Sequence, residues 1–381
     1  MLYRPLGRTG VDVSALGFGC MRLPTTGAPD KIDEEAATKL LHNAIDAGVN
    51  YIDTAYFYHS TSFGQAGASE PFVGRALSGG WRERVCLATK LPQQLVKTRE
   101  DMDRFLAEQL ERLATDHIDF YLVHGLNGDS WDRMRDLGVR EFLDGAVAAG
   151  LIRFPAFSFH GATADFPRIV DDYDGWAMAQ VQYNYMDTEY QAGYAGLRYA
   201  ADKGIGVVVM EPLKGGRLAK DLPPAMQAVF DARDEGWSPA EWALRYVWNE
   251  PGVSLLLSGM NSQDQVDENI RVASEAQPGV LTPDRLAVYD AARDAMRARM
   301  KADCSACRYC QPCPQGVAIP ECLAALNAAA MWDTTDPWLT GWIALKGKPD
   351  LCSECGQCED MCPQDLPIRD LLQQTANTFA R

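Results

Sequence analysis

The sequence predicts an α/β chain: a closed (β/α)8 barrel followed by a small, mostly helical, cysteine-rich module. Three observations carry this. Eight short β-rich runs alternate with longer amphipathic runs between residues 15 and 275. The length of 381 residues accommodates one barrel of about 250 residues and a small second domain. Nine of the eleven cysteines fall between Cys304 and Cys362, so cysteine chemistry is confined to one end.

The strand candidates are Ala15–Cys20, Tyr51–Ala55, Val85–Thr89, Ile118–Val123, Phe154–Phe159, Ala177–Gln182, Gly206–Met210 and Val253–Leu257. Helix signals lie between them. In Arg99–Leu113 the residues Met102, Phe105, Leu106, Leu110 and Leu113 recur at helical spacing, giving one buried face. Thr98 with Asp101 forms a capping box in front of it, and Ser238-Pro239-Ala240-Glu241 is a second start, with Pro at the first helical position. Gly150 and Gly204 stand where helices stop ahead of the next strand. A doubly wound open sheet is the runner-up, but the chain has neither a G-x-G-x-x-G turn nor a P-loop. The expected organisation is a barrel over 1–281, a connecting helix over 282–300 opened by Thr282-Pro283-Asp284, and the cysteine module over 301–381.

A formal charge of −16 argues against nucleic acid or an anionic membrane as partner, because phosphate binding relies on clustered Lys and Arg. The start, MLYRPLGRTG, is polar and turn-rich, and apolar runs such as Gly206–Met210 are far shorter than the roughly 20 residues that span a bilayer. The expected location is cytoplasmic. Tight Cys-x-x-Cys runs in such a chain point to metal rather than to a disulfide framework.

In a barrel, chemistry gathers at the C-terminal ends of the strands. Four polar residues stand where candidate strands two to four run out: Asp53, Tyr58, Lys90 and His124. Their order and spacing, with D-T-A-x-x-Y around Asp53 and Tyr58, resemble the aldo-keto reductases. So does the opening Leu6-Gly7-Arg8-Thr9-Gly10 followed by Leu16-Gly17-x-Gly19. The resemblance spans roughly residues 1–275. It implies that Tyr58 donates a proton to a carbonyl oxygen while hydride arrives at carbon. A free phenol titrates near 10, and the Lys90 ammonium is expected to lower that value, with Asp53 balancing the lysine. His124 would hydrogen-bond and orient the carbonyl.

The resemblance also implies a nicotinamide site, from which this chain departs in places. Ser158 and Gln182 stand where the family holds the carboxamide, with Phe159 where an Asn usually follows the Ser. The usual Tyr-Ser-Pro-Leu run is Met210-Glu211-Pro212-Leu213, so the stacking aromatic is missing. Pro212, Leu213, Gly259, Ser262, Gln265 and Asn269 would line the rest of the cofactor path. Gln265 occupies the place of the family's Arg for the 2′-phosphate, which leaves NADP against NAD open. A helix N-terminus beginning near Ser262 suits phosphate, though Ser262 with Gln265 also reads as a plain capping box. The stretch His59–Ala68, beside Tyr58, is longer than the family's and reads either as a substrate lid or as a disordered insertion.

Cys352-x2-Cys355-x2-Cys358-x3-Cys362-Pro363 has the bacterial ferredoxin spacing for [4Fe–4S]. Cys304-x2-Cys307-x2-Cys310-x2-Cys313-Pro314 is similar but one residue shorter before its last cysteine. Pro314-Gln315-Gly316-Val317 echoes Pro363-Gln364-Asp365-Leu366, which suggests a duplicated unit. Two-cluster ferredoxins exchange fourth ligands, so Cys304, Cys307 and Cys310 are assigned with Cys362, and Cys352, Cys355 and Cys358 with Cys313. Zinc is the rival occupant. Cys20, Cys86 and Cys322 read as small apolar core residues. Trp332, Trp338 and Trp342 read as core packing or as walls beside the clusters.

The functional expectation is hydride transfer between NAD(P)H and a small carbonyl or alcohol, with two [4Fe–4S] clusters for electron transfer or regulation. Hydride carries two electrons and a cluster carries one, so a flavoprotein or ferredoxin-type partner could bridge them, although no residue pattern identifies one; a further reading is that the clusters only staple the tail. The alternative is a redox-sensing or partner-docking protein built on the barrel.

Overall fold

The computed structural model describes residues 1–62, 64–335 and 347–380; Trp338 and Trp342 lie outside the described residues. The chain divides into two compact units, Met1–Lys220 with Trp237–Leu281, and Asp221–Gly236 with Thr282–Arg381.

The first unit opens with an antiparallel hairpin, β1 (Tyr3–Pro5) and β2 (Asp12–Ser14). Eight parallel strands then close into a barrel: β3 (Leu16–Gly19), β4 (Tyr51–Asp53), β5 (Cys86–Leu91), β6 (Ile118–Leu126), β7 (Ile152–Phe159), β8 (Met178–Gln182), β9 (Gly206–Met210) and β10 (Leu255–Ser258). Each pairs with the next, and β10 returns to β3 through Leu256 opposite Leu16. All eight candidate runs became barrel strands. The hairpin had no counterpart among the expected strands, because three-residue strands carry too little periodicity to read.

Strand alternation sorts the core. Tyr51, Cys86, Ala88, Phe120, Leu122, Ala156, Met178, Val208, Leu255 and Leu257 fill the interior, joined by Leu6 and Val13 from the hairpin. Leu6 lies against Gly206, the first residue of β9, so the hairpin plugs the N-terminal end of the barrel. The opposite set, including Ile52, Leu87, Tyr121, Val123, Phe157, Ala179 and Val209, packs under the surrounding helices. The helix expected from Arg99 runs Arg99–Arg112, and the Asp101 carboxylate accepts from the Thr98 amide at 3.0 Å. The Ser238 start also forms: its hydroxyl accepts from the Glu241 amide ahead of helix Pro239–Trp248.

The second unit corrects one boundary. The expected 1–281 barrel includes residues 221–236, whereas helix Pro224–Asp231 packs on helix Pro283–Arg297 and belongs with the C-terminal unit. The helix expected only to connect is therefore part of that unit's body. Its cysteine-bearing part is cored by Ala302, Val317, Ile319, Cys322, Leu323, Leu326, Ile368, Leu371 and Leu372, contributed mainly by helices Ile319–Trp332 and Ile368–Phe379. The expected duplication is visible in the backbone. Ala306 and Glu354, each just before a second cysteine, both have positive φ (54° and 57°); so do Arg308 and Gly356 (65° and 78°), and Gly316 and Asp365 (73° and 49°). Each cysteine run then leads into one of the two helices. Among the described residues no helix is long and apolar enough to cross a membrane.

Candidate active site and cysteine module

The barrel's interior rows run upward into polar side chains. Two residues beyond Tyr51, Ala88, Leu122, Ala156 and Met178 stand Asp53, Lys90, His124, Ser158 and Gln180. A period of two keeps them on the interior face. They form the layer at the C-terminal mouth, where barrel sites are built.

Lys90 organises this layer. Its Nζ donates to both Asp53 oxygens at 2.7 and 2.8 Å, to the Thr54 carbonyl at 2.8 Å and to the Tyr58 hydroxyl at 3.2 Å. Lys90 is 1% exposed and Asp53 2%. Burial opposes the Lys90 charge, but the neighbouring Asp53 and Tyr58 oxygens overcome it and hold the lysine above its ordinary value. Burial likewise lifts the Asp53 carboxyl against the pull of Lys90. Tyr58 differs from expectation. Its phenol is raised, not lowered, because burial is the largest influence and Asp53 opposes Lys90. Lys90 therefore limits the rise instead of reversing it, and Tyr58 stays protonated as an acid should.

His124 edges against the Tyr58 ring at 6.3 Å between centroids. Burial first, then the Lys90 and His160 charges, push its imidazole down to about 3, so it is neutral around pH 7. A break in the β6–β7 register between Val123 and Leu126 turns this stretch, as bulges beside active sites do. Gly125 occupies the bulge at φ +66°, a conformation that suits glycine. Its amide donates to Ser158 Oγ at 2.7 Å.

Two glutamines on β8 bear on the carboxamide expectation. Gln182 is half-buried and its amide donates to Asp187 at 2.9 Å, so it is already engaged. Gln180 lies directly opposite Ser158 in the β7–β8 ladder. It is 2% exposed, its Oε1 has no partner among the described residues, and its Nε2 makes only a 3.8 Å contact with Met210 Sδ. A buried amide with unspent ends costs free energy unless something fills them, and a carboxamide offers the complementary donor and acceptor. Ser158 and Gln180 therefore fit a nicotinamide. Both glutamines have the right parity; only their height relative to Ser158, which the sequence does not display, separates them.

Of the remaining expected cofactor residues, Pro212 is buried and Leu213 half-buried after β9. Asn269, 4% exposed, donates to Ser258 Oγ at 3.0 Å and so fixes the end of β10. Helix Gln263–Ala273 begins after Ser262, but the capping box is replaced: Ser262 makes no side-chain cap, and Gln265 Oε1 accepts from the Asn261 amide at 2.9 Å. Arg22, unremarked in the sequence, is exposed after β3. Its side chain runs past Gly259 toward Gly215, where a methyl on that glycine would meet Arg22 Nη2 at 3.3 Å. Its guanidinium thus sits between the loops after β9 and β10. The His59–Ala68 stretch is tied back by Gly67 N to Tyr56 O (2.7 Å), Ala68 N to His59 O (3.1 Å) and Ser69 N to Tyr58 O (3.2 Å).

In the second unit, the thiols of Cys304, Cys307 and Cys362 lie close enough to Cys310 to help burial raise it. Cys313, Cys352, Cys355 and Cys358 line one cavity together with Cys310. The two runs thus lie against each other within this unit. Among the described residues no three His, Cys, Asp or Glu side chains close on a single ion position. Cys322 is fully buried in the apolar core, and Cys86 is buried in β5. Cys20 is buried too, in the turn after β3, close enough to Asp53 and Lys90 to feel their charges.

Comparison with known proteins places both units. Residues 15–278 match the aldo/keto reductase family model, and residues 303–366 match a 4Fe-4S dicluster domain. L-galactose dehydrogenase of Arabidopsis thaliana is 27% identical over 293 residues, covering 72% of this chain and 88% of that protein. 6-Dehydroglucose reductase of Novosphingobium aromaticivorans is 30% identical over 239 residues, covering 61% and 75%. Among solved structures, the holo form of aldo-keto reductase AKR11C1 from Bacillus halodurans superposes with a TM-score of 0.63 at 26% identity, covering 77% of this chain and 96% of that one. The chain belongs to the aldo/keto reductase family of oxidoreductases and carries a C-terminal 4Fe-4S dicluster domain.

Proposed function

We propose that the barrel interconverts a small carbonyl compound and its alcohol. The observation that carries this reading is the unbroken hydrogen-bond chain Asp53–Lys90–Tyr58, with neutral His124 beside it. A nicotinamide dinucleotide, when bound, supplies or accepts the hydride. Tyr58 gives its proton to the carbonyl oxygen. Lys90, held charged by Asp53, stabilises the phenolate left behind. His124 donates a hydrogen bond to the same oxygen and orients it. Ser158 and Gln180 hold the carboxamide; Pro212, Leu213, Gly259, Ser262, Gln265 and Asn269 shape the remaining path, and Arg22 supplies a cation toward the phosphates. This set does not decide between NAD and NADP. The two relatives named above for sugar-type substrates make hydroxylated aldehydes and ketones the first compounds to try.

In the second unit, Cys304, Cys307, Cys310 and Cys362 hold one [4Fe–4S] cluster, and Cys352, Cys355, Cys358 and Cys313 hold the other. Such clusters pass single electrons, so a flavoprotein or ferredoxin-type carrier is the proposed partner. The proposed location is cytoplasmic, where thiols stay reduced. Stopped-flow oxidation of bound NADPH or NADH by a panel of hydroxylated aldehydes tests the reaction. No turnover with any carbonyl would favour the alternative, a barrel retained for redox sensing or partner docking.

A further inference from the structure

A carboxylate behind the site is not used by this reading. Glu70 is 0% exposed at the start of helix Ser69–Ala76. A buried carboxylate is costly unless its oxygens are paired, and here every partner leads to a segment that carries the proposed catalytic side chains. Glu70 Oε1 accepts from Thr89 Oγ1 at 2.7 Å and from Gln109 Nε2 at 2.6 Å. Thr89 is the outward-facing neighbour of Lys90 on β5, and Gln109 Nε2 also donates to the Lys90 carbonyl at 3.1 Å. Glu70 Oε2 accepts from Arg112 Nε at 2.9 Å, and Arg112 Nη2 donates to the Gly67 carbonyl.

Gly67 closes the loop that presents Tyr58. Its amide donates to the Tyr56 carbonyl, and a methyl at Gly67 would come within 1.9 Å of the Tyr58 carbonyl oxygen. The residue before Glu70 ties the other end: Ser69 Oγ bonds Thr54 Oγ1 at 2.8 Å, and the Thr54 carbonyl accepts from Lys90 Nζ. The outer face of β5, through Thr89 and Gln109, and the Gly67 end of the Tyr58 loop, through Arg112, thus meet at one buried carboxylate.

We propose that Glu70, locked by Arg112, is a positioning residue that sets the placement of the Tyr58 hydroxyl against Lys90. This rests on the carbonyl reaction proposed above. Without the lock, the Thr54 end of the loop stays bonded to β5 through the Thr54 amide on the Ala88 carbonyl (2.9 Å) and Lys90 Nζ on the Thr54 carbonyl (2.8 Å), but the Gly67 end, next to Tyr58, loses its tie. A displacement of Tyr58 then costs proton transfer more than it costs cofactor or substrate binding.

The test uses the full chain with Arg112→Met, Glu70→Gln and the double variant. It measures kcat and KM for a hydroxylated aldehyde, the NADPH dissociation constant by fluorescence, and amide hydrogen exchange over residues 57–69. Arg112→Met is expected to lower kcat about tenfold or more while KM and NADPH affinity stay within about twofold, with faster exchange at Gly67 and Ser69. Glu70→Gln should act in the same direction, and the double variant should be no worse than the worse single one, because both break one device. If Glu70→Gln does not fold, Arg112→Met decides alone. Unchanged kcat, or a loss confined to KM or NADPH affinity, overturns the proposal. Exchange needs no turnover: unchanged protection in Arg112→Met overturns the device whatever the reaction, whereas lost protection in a protein that reduces no carbonyl supports the coupling and overturns the reaction.

Discussion

The two units build their sites by opposite routes. In the barrel, Asp53, Lys90, His124, Ser158 and Gln180 come from five different strands, and Asp53 and Lys90 are almost fully buried. In the cysteine module, most of each proposed ligand set comes from one short run, and Cys307 and Cys355 are exposed. A site assembled from distant strands depends on the whole barrel to hold its geometry. A site assembled from local runs depends on backbone turns: the paired positive-φ positions at 306 and 354, 308 and 356, and 316 and 365. The first kind fails through loss of preorganisation, the second through loss of the bound group, which contributes folding energy in small metal-bearing modules.

The comparison breaks most sharply at Tyr58. Tyr58→Phe should lower carbonyl reduction at least about 100-fold while leaving NADPH binding within about twofold. Turnover near wild type in that variant would remove Tyr58 from the donor role. The module should respond to its ligands instead: anaerobically purified protein should carry about eight iron and eight sulfide, and Cys358→Ser should remove about half of both. Zinc without sulfide would sink the cluster reading and make the module structural.

A smaller effect separates the two glutamines. Gln180→Ala should weaken NADPH binding about tenfold, the scale of an unmet buried hydrogen-bonding group. Gln182→Ala, whose partner is Asp187, should weaken it less than about threefold. The reverse order would restore Gln182 to the carboxamide role. A last effect is on stability. The His124 imidazole is held down to about 3 in the folded barrel against about 6.5 unfolded. Between these values the unfolded chain binds a proton that the folded one does not. This contribution is therefore complete above about pH 6.5 and lost as pH falls toward 3, at no more than about 1.4 kcal/mol per pH unit. Urea unfolding across that window should show a shallower slope for His124→Gln, and an identical slope would mean that His124 titrates normally.

What the sequence determined by itself was everything carried by short spacing and periodicity. The eight strand runs, the Thr98 and Ser238 helix starts and the cysteine triplets are local patterns, and local hydrogen bonding and alternation suffice to produce them. The strand-end positions of Asp53, Lys90 and His124 followed from the same alternation. Only the tertiary structure decided the rest, because it turns on relations between distant segments. That Gln180, and not Gln182, stands level with Ser158 depends on the stagger of β8 against β7. The placement of helix Pro224–Asp231 depends on its packing against helix Pro283–Arg297. The raised phenol of Tyr58 depends on how deeply burial outweighs one ammonium. Glu70, two residues past a glycine-rich stretch, looks like an ordinary helix-start acid until folding removes it from water and surrounds it with Thr89, Gln109 and Arg112. Burial and cross-strand register are properties of the closed barrel, and no stretch of the chain displays them alone.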